Sequence, residues 1–125
     1  KNEGHCSFLH GYSREFIFHF ACEELDKHGW VVDFGGLKDL KVFLEHWFDH
    51  TLLLAEDDPL LEEFKDLESK GACDIRILKS ASIEYSAKFV HEFANELIRK
   101  TTNQRAWCYR VEVRENDKNS AIYCP

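Results

Sequence analysis

Phenylalanine stands at positions 16, 18 and 20, with Glu15 and His19 between and beside them, and this period of two predicts a half-buried β-strand over residues 12–22. The even-numbered face is the core face. Extended backwards, the alternation turns His10 and Tyr12 the same way. A second alternation sets Trp107, Tyr109, Val111 and Val113 against Cys108, Arg110, Glu112 and Arg114. It predicts another strand, joined through a polar turn over 115–120 to a partner over 121–124. Between these strands lie two helical stripes. Leu40, Phe43, Leu44, Trp47 and Phe48 follow the pair Gly35 and Gly36, and Val90, Phe93, Ala94, Leu97 and Ile98 follow Ser82, an N-cap residue with Glu84 in the first turn. A turn at His28 and Gly29 predicts a short strand over 30–34. The acidic stretch 55–69 reads as a surface helix ended by Gly71, and 74–78 as a further short strand. Strands, then helices, then a hairpin favour an α+β domain with an antiparallel sheet and helices on one face over an alternating βαβ chain.

A length of 125 residues supports one compact domain, 1–125, and excludes a two-domain enzyme. Charged residues interrupt every apolar stretch well short of the roughly 20 positions a bilayer span needs, so no membrane span is expected. The formal charge of −7, from 16 basic and 23 acidic residues, argues against a nucleic-acid groove and for a small-molecule or protein ligand. Five cysteines at 6, 22, 73, 108 and 124 form no CxxC pair and no regular framework. A reducing cytoplasm is the expected setting, with Cys22, Cys73 and Cys108 as small apolar side chains. Cys6 differs, because His5 and His10 flank it and a metal or an imidazolium could stabilise its thiolate.

Three constellations could carry chemistry. Cys6 and His10 suit zinc by residue type, although by spacing alone a hydrogen-bonded core histidine at a strand entry is the simpler account of His10. Asp49 and His50 could form a carboxylate-oriented imidazole provided the helix ends there, since neighbours on a helix diverge. His46 and His50, four apart, compete as a chelating pair, and a solvated helix end accounts for all three. Glu115 has the parity of Val111 and Val113 but carries a charge: either the strand has ended or a carboxylate faces a pocket. An inward carboxylate needs donors, which a heterocycle with adjacent N–H and amino groups supplies. There is no phosphate-cradling Gly-rich loop and no GxSxG elbow.

In order along the chain stand Cys-x-x-x-His-Gly (6–11), Gly-Trp-Val-Val-Asp-Phe-Gly-Gly-Leu-Lys (29–38), Asp-His (49–50), Ser-x-Glu (82–84) and Val-x-Val-x-Glu with Asn-Ser-Ala-Ile-Tyr (111–123). This series resembles the family of 6-pyruvoyl- and 6-carboxy-tetrahydropterin synthases over nearly the whole chain. The resemblance implies a T-fold, a four-stranded antiparallel sheet with two helices between its second and third strands, assembled into oligomeric barrels and hexamers. It implies a lyase acting on 7,8-dihydroneopterin triphosphate, with zinc held by three histidines. The 6-carboxy-5,6,7,8-tetrahydropterin it would form feeds queuosine synthesis; the 6-pyruvoyl product, or a divergent pterin-binding T-fold without zinc catalysis, are the alternatives. By the same resemblance Cys6 is the general base, Asp49 and His50 are the proton relay, and Glu115 anchors the pterin. Glu84 and Ser82 support the pterin pocket, and His10 is a zinc ligand.

The chain departs from that pattern in three places. Tyr12 stands where the family's His-Gly-His motif has its second histidine, and a phenol binds zinc weakly at neutral pH. Ala81 and Ser82 replace the usual Pro-Thr. The family's first strand, with a further zinc histidine, is expected upstream of Lys1, consistent with a sequence containing no Met.

Overall fold

The computed structural model describes residues 14–115 and 119–125. Strand β1 (Glu15–Cys22) runs antiparallel to β4 (Ala106–Arg114), from Glu15 opposite Arg114 to Cys22 opposite Ala106. Strand β5 (Ser120–Tyr123) returns along the other edge of β4, giving the order β1-β4-β5. Among the described residues this sheet has three of the four strands expected.

Phe16, Phe18 and Phe20 lie on the inner face, as their alternation predicts, packed against a core of Leu40, Ala87, Val90, Ala94, Cys108, Val111 and Val113. Two helices cover that face. Asp33 accepts a hydrogen bond from the Gly35 N–H at 2.9 Å and opens a 3₁₀ turn, Phe34–Leu37, that leads into α1 (Lys38–Phe48). The long α3 (Ile83–Thr101) buries Ala87, Val90, Ala94 and Ile98. Phe43 of α1 stacks on Phe93 of α3 with centroids 3.8 Å apart, and Trp47 meets Phe89 edge-on at 4.9 Å. Antiparallel sheet and one-sided helices make this an α+β fold.

Strand β4 departs from simple alternation. His19 pairs with Arg110 and Phe20 with Cys108, so Tyr109 is one residue too many, a β-bulge. Ala106 and Cys108 point inward before it, Val111 and Val113 after it. Trp107 and Tyr109 therefore do not share the inner face with Val111 and Val113, as unbroken alternation would have them do. Two side chains of α3 satisfy the backbone beside the bulge. The Asn95 Oδ1 accepts from the Cys108 N–H at 3.0 Å, and the His91 Nε2 donates to the Cys108 carbonyl at 2.7 Å.

Two further expectations need correction. Residues 30–34 form no strand, because side chains staple that backbone in place of a ladder. Asp26 accepts from the N–H groups of His28 and Trp30, and Arg105 donates to the carbonyls of Glu24 and Val31. Residues 55–69 are not one helix either. Leu52–Ala55 is strand β2, and α2 starts only at Leu61 (Leu61–Ser69). Pro59 disfavours helical geometry at Asp58, whose side chain instead caps the Leu60 N–H. Gly71, at φ +81°, ends α2 as expected, and β3 (Ile75–Leu78) then pairs parallel to β2. Of the cysteines read as apolar side chains, Cys108 is buried, while Cys22 and Cys73 are half-buried. No helix of the described residues is long and apolar enough to cross a membrane.

Leu40 is 3% exposed and joins α1 to the core. Leu40→Ala is expected to cost about 3 kcal/mol in denaturant unfolding, and Val42→Ala, on the exposed side of the same helix, less than about 0.5 kcal/mol. The bond from the Trp30 N–H, before the one from His28, holds the Asp26 carboxyl below its ordinary pKa. A depressed carboxylate stabilises the fold above its unfolded pKa, about 3.9, and that contribution disappears as pH falls through the folded value. Asp26→Ala should lower Tm at pH 7, and the gap from wild type should narrow as pH falls through the lowered carboxyl range in a series of thermal melts.

Candidate functional site

The first turn of α3 organises one end of the sheet. Ser82 caps it, its Oγ accepting from the Tyr85 N–H at 3.0 Å, and Glu84 follows in that turn. Arg14, just before β1 and on the even-numbered inner parity, extends into this turn. Its Nη1 donates to the Ser86 Oγ and its Nη2 to the Ala81 carbonyl at 3.0 Å. Glu115 comes to the same guanidinium from the end of β4, with its Oε2 3.6 Å from Nη2. The two side chains are only 9% and 17% exposed.

That burial answers the question Glu115 poses. The carboxylate faces inward, continuing the parity of Val111 and Val113, and is not a solvated strand end. Burial pulls the Arg14 pKa down, and the charges of Glu115 and, more weakly, Glu84 push it back up. Glu84 and Glu115, from two elements, thus act on one cation, while Ser82 caps the turn that carries Glu84 and does not itself bond to Arg14. Arg14 itself was not among the sequence candidates. Its signal was its parity: a charge at position 14 in step with Phe16, Phe18 and Phe20.

Asp49 and His50 meet the condition set for their cooperation. Helix α1 ends at Phe48, Asp49 is extended, and His50 takes a left-handed φ of +57°. These backbone turns bring the His50 Nδ1 to 2.8 Å from the Asp49 Oδ1. Both side chains are exposed. The helix end also separates His46 from His50, so the i,i+4 relation of a chelating pair is not made. Phe48, whose ring lies 4.7 Å from that of Phe16, ties the Asp49–His50 pair to the end of β1 where Arg14 sits.

Cys6, His10 and Tyr12 lie outside the described residues. Among the described residues no group of three or more His, Cys, Asp or Glu side chains could hold a metal ion.

The family model described as 6-pyruvoyl tetrahydropterin synthase matches residues 1–125. The chain belongs to this family. Two relatives named 6-carboxy-5,6,7,8-tetrahydropterin synthase, from Rickettsia conorii and Rickettsia felis, are 41% identical over 59 residues and 40% identical over 58. Those alignments take in 46% of this chain and 43% and 42% of the relatives, so the matched part spans less than half of their length. A crystal structure of an uncharacterized protein from Wolinella succinogenes superposes with a TM-score of 0.76 at 21% identity, covering 90% of this chain and 77% of the other. That likeness is one of fold. Synthase family membership and the inward Glu115 thus come from independent observations.

Removing Glu115 leaves Arg14 buried beside the N-terminus of α3 with its nearer counter-charge gone. Glu115→Ala is expected to cost about 3 kcal/mol. In a double-mutant cycle, Arg14→Leu combined with Glu115→Leu should cost less than the sum of the single changes, by roughly 1 kcal/mol or more. Strict additivity in urea melts would deny the pair any coupling.

Proposed function

We propose that this chain is a lyase that converts 7,8-dihydroneopterin triphosphate and water to 6-carboxy-5,6,7,8-tetrahydropterin, triphosphate and acetaldehyde, on the route to queuosine. The observation that carries the reading is Glu115: a largely buried carboxylate, aimed inward at the end of a strand, in a chain of the synthase family. The names of the Rickettsia relatives favour the carboxy product over the pyruvoyl one.

Each residue has a task suited to its chemistry. Glu115 accepts from the ring N–H and the adjacent amino group of the pterin, a two-point contact that fixes the ring's orientation. Glu84 and the Ser82 cap hold the turn of α3 against which that contact is made. The Asp49 carboxylate orients the His50 imidazole and stabilises its protonated form, so that the ring can take up and return a proton at the side chain of the substrate. Cys6 is assigned the role of thiolate base in the same transfer. Zinc, with His10 among its ligands, would supply Lewis-acid polarisation of the side-chain oxygens. The scaffold is assigned as a T-fold working as a cytoplasmic homo-oligomer, a hexameric barrel in which the open edges of the sheet find partners.

The test is incubation of the full chain with 7,8-dihydroneopterin triphosphate, with and without added zinc, and identification of the product by mass. The carboxy-pterin with stoichiometric triphosphate is the expected result. A pyruvoyl product would move the chain to the other branch of the family, and binding without turnover would make it a pterin-binding protein. His50→Ala should lower kcat by about 10²–10⁴. A kcat unchanged by that substitution would remove the relay.

A further inference from the structure

The Arg14–Glu115 contact is unusual for an ion pair. At 3.6 Å it is too long for a hydrogen bond, while both Nη atoms of Arg14 donate to acceptors of α3 and the loop before it. The guanidinium is therefore anchored by Ser86 and the Ala81 carbonyl rather than by the carboxylate. It neutralises Glu115 without consuming the carboxylate's acceptor positions.

A guanidinium carries five N–H donors, and the two bonds to Ser86 and Ala81 use two of them. Carboxylate acceptors and guanidinium donors thus lie side by side, both mostly buried. The complement of that row is a ring edge reading amino donor, N–H donor, carbonyl acceptor. A fused 2-amino-4-oxo-pyrimidine has this edge. The 2,4-diamino analogue does not: between its two amino groups the neutral ring has an acceptor nitrogen in place of the N–H, and its second amino group sets donors against donors.

We propose that Arg14 is the specificity-determining residue of this pocket, selecting a 2-amino-4-oxo edge over a 2,4-diamino edge beside Glu115. The inference rests on Glu115 being the ring anchor, as in the function proposed above. Exclusion follows from the cost of leaving opposed donors unpaired beside two side chains only 9% and 17% exposed.

The experiment uses two fluorescent probes that differ at one substituent, 6-hydroxymethylpterin and 2,4-diamino-6-hydroxymethylpteridine, titrated into the full chain at pH 7. The wild type is expected to bind the oxo compound on the order of tenfold more tightly or better. In Arg14→Leu the ratio should fall to near one or reverse, a change that general loosening of the pocket would not produce. A wild-type ratio near one overturns the inference without any variant, so it stands to be refuted even should Arg14→Leu fail to fold. Glu115→Gln separates the two readings. Loss of both probes in that variant, with an unchanged ratio in Arg14→Leu, would keep the anchor and overturn the role of Arg14. A wild type that binds neither probe would overturn both.

Discussion

The extra residue at Tyr109 is the constraint on which the rest of this structure turns. β4 is the central strand of the described sheet, and it starts with Ala106 and Cys108 facing the helices. Continued without a bulge, that alternation would send Arg110, Glu112 and Arg114 into the core, three charges against a layer of phenylalanines. One inserted residue exchanges the faces. Val111 and Val113 then fill the core, and Glu115, next in the series, is carried inward to Arg14. Glu112 and Arg114 are left to pair with each other at 3.0 Å. Asn95 and His91 hold the bulged backbone at Cys108 from α3, so the helix whose first turn receives Arg14 also fixes the parity that carries Glu115 inward.

The same helix explains why an arginine needs two carboxylates here. The N-terminus of a helix carries partial positive charge, and a cation beside it is misplaced by about 0.3–1 kcal/mol even before burial is counted. Arg14 sits there, nearly buried. Glu84 in the first turn answers the helix dipole, and Glu115 answers the guanidinium. Replacing any one of the three changes the balance for the other two, so Arg14, Glu84 and Glu115 act as a charge cluster and not as a set of separate contacts.

Much of this was legible in the chain because local rules and tertiary structure agreed. Phe16, Phe18 and Phe20, the two helical stripes, the Ser82 cap and the Gly71 stop each follow from periodicity or backbone geometry within a few residues. What was hidden depended on distant partners. The stretch 30–34 has strand-forming residues, but Arg105, some 75 positions away, captures its carbonyls. The strand Leu52–Ala55 is four residues long and exists through β3, on the far side of a helix. Glu115 was read with the correct parity from a strand whose first half was read with the wrong one, since a bulge leaves no mark in composition. Asp49 and His50 could be recognised as neighbours, yet their contact required the left-handed turn at His50, which a helix-end pattern does not specify.

Charge also separates the two ends of the proposed substrate. Arg14, Glu84 and Glu115 sum to one negative charge, in a chain whose formal charge is −7. Such a cluster suits a neutral ring that offers N–H donors and repels a triphosphate. On the proposed function, the ring and the phosphate tail would therefore lie apart. Since a polyanion needs clustered Lys or Arg to lower its cost of desolvation, the proposed function would place the tail toward cationic groups outside this cluster. A site divided in this way would orient the proposed substrate before any proton moves: with Glu115 holding the ring and repulsion turning the tail outward, the side chain between them would be the part left to the acid and base groups.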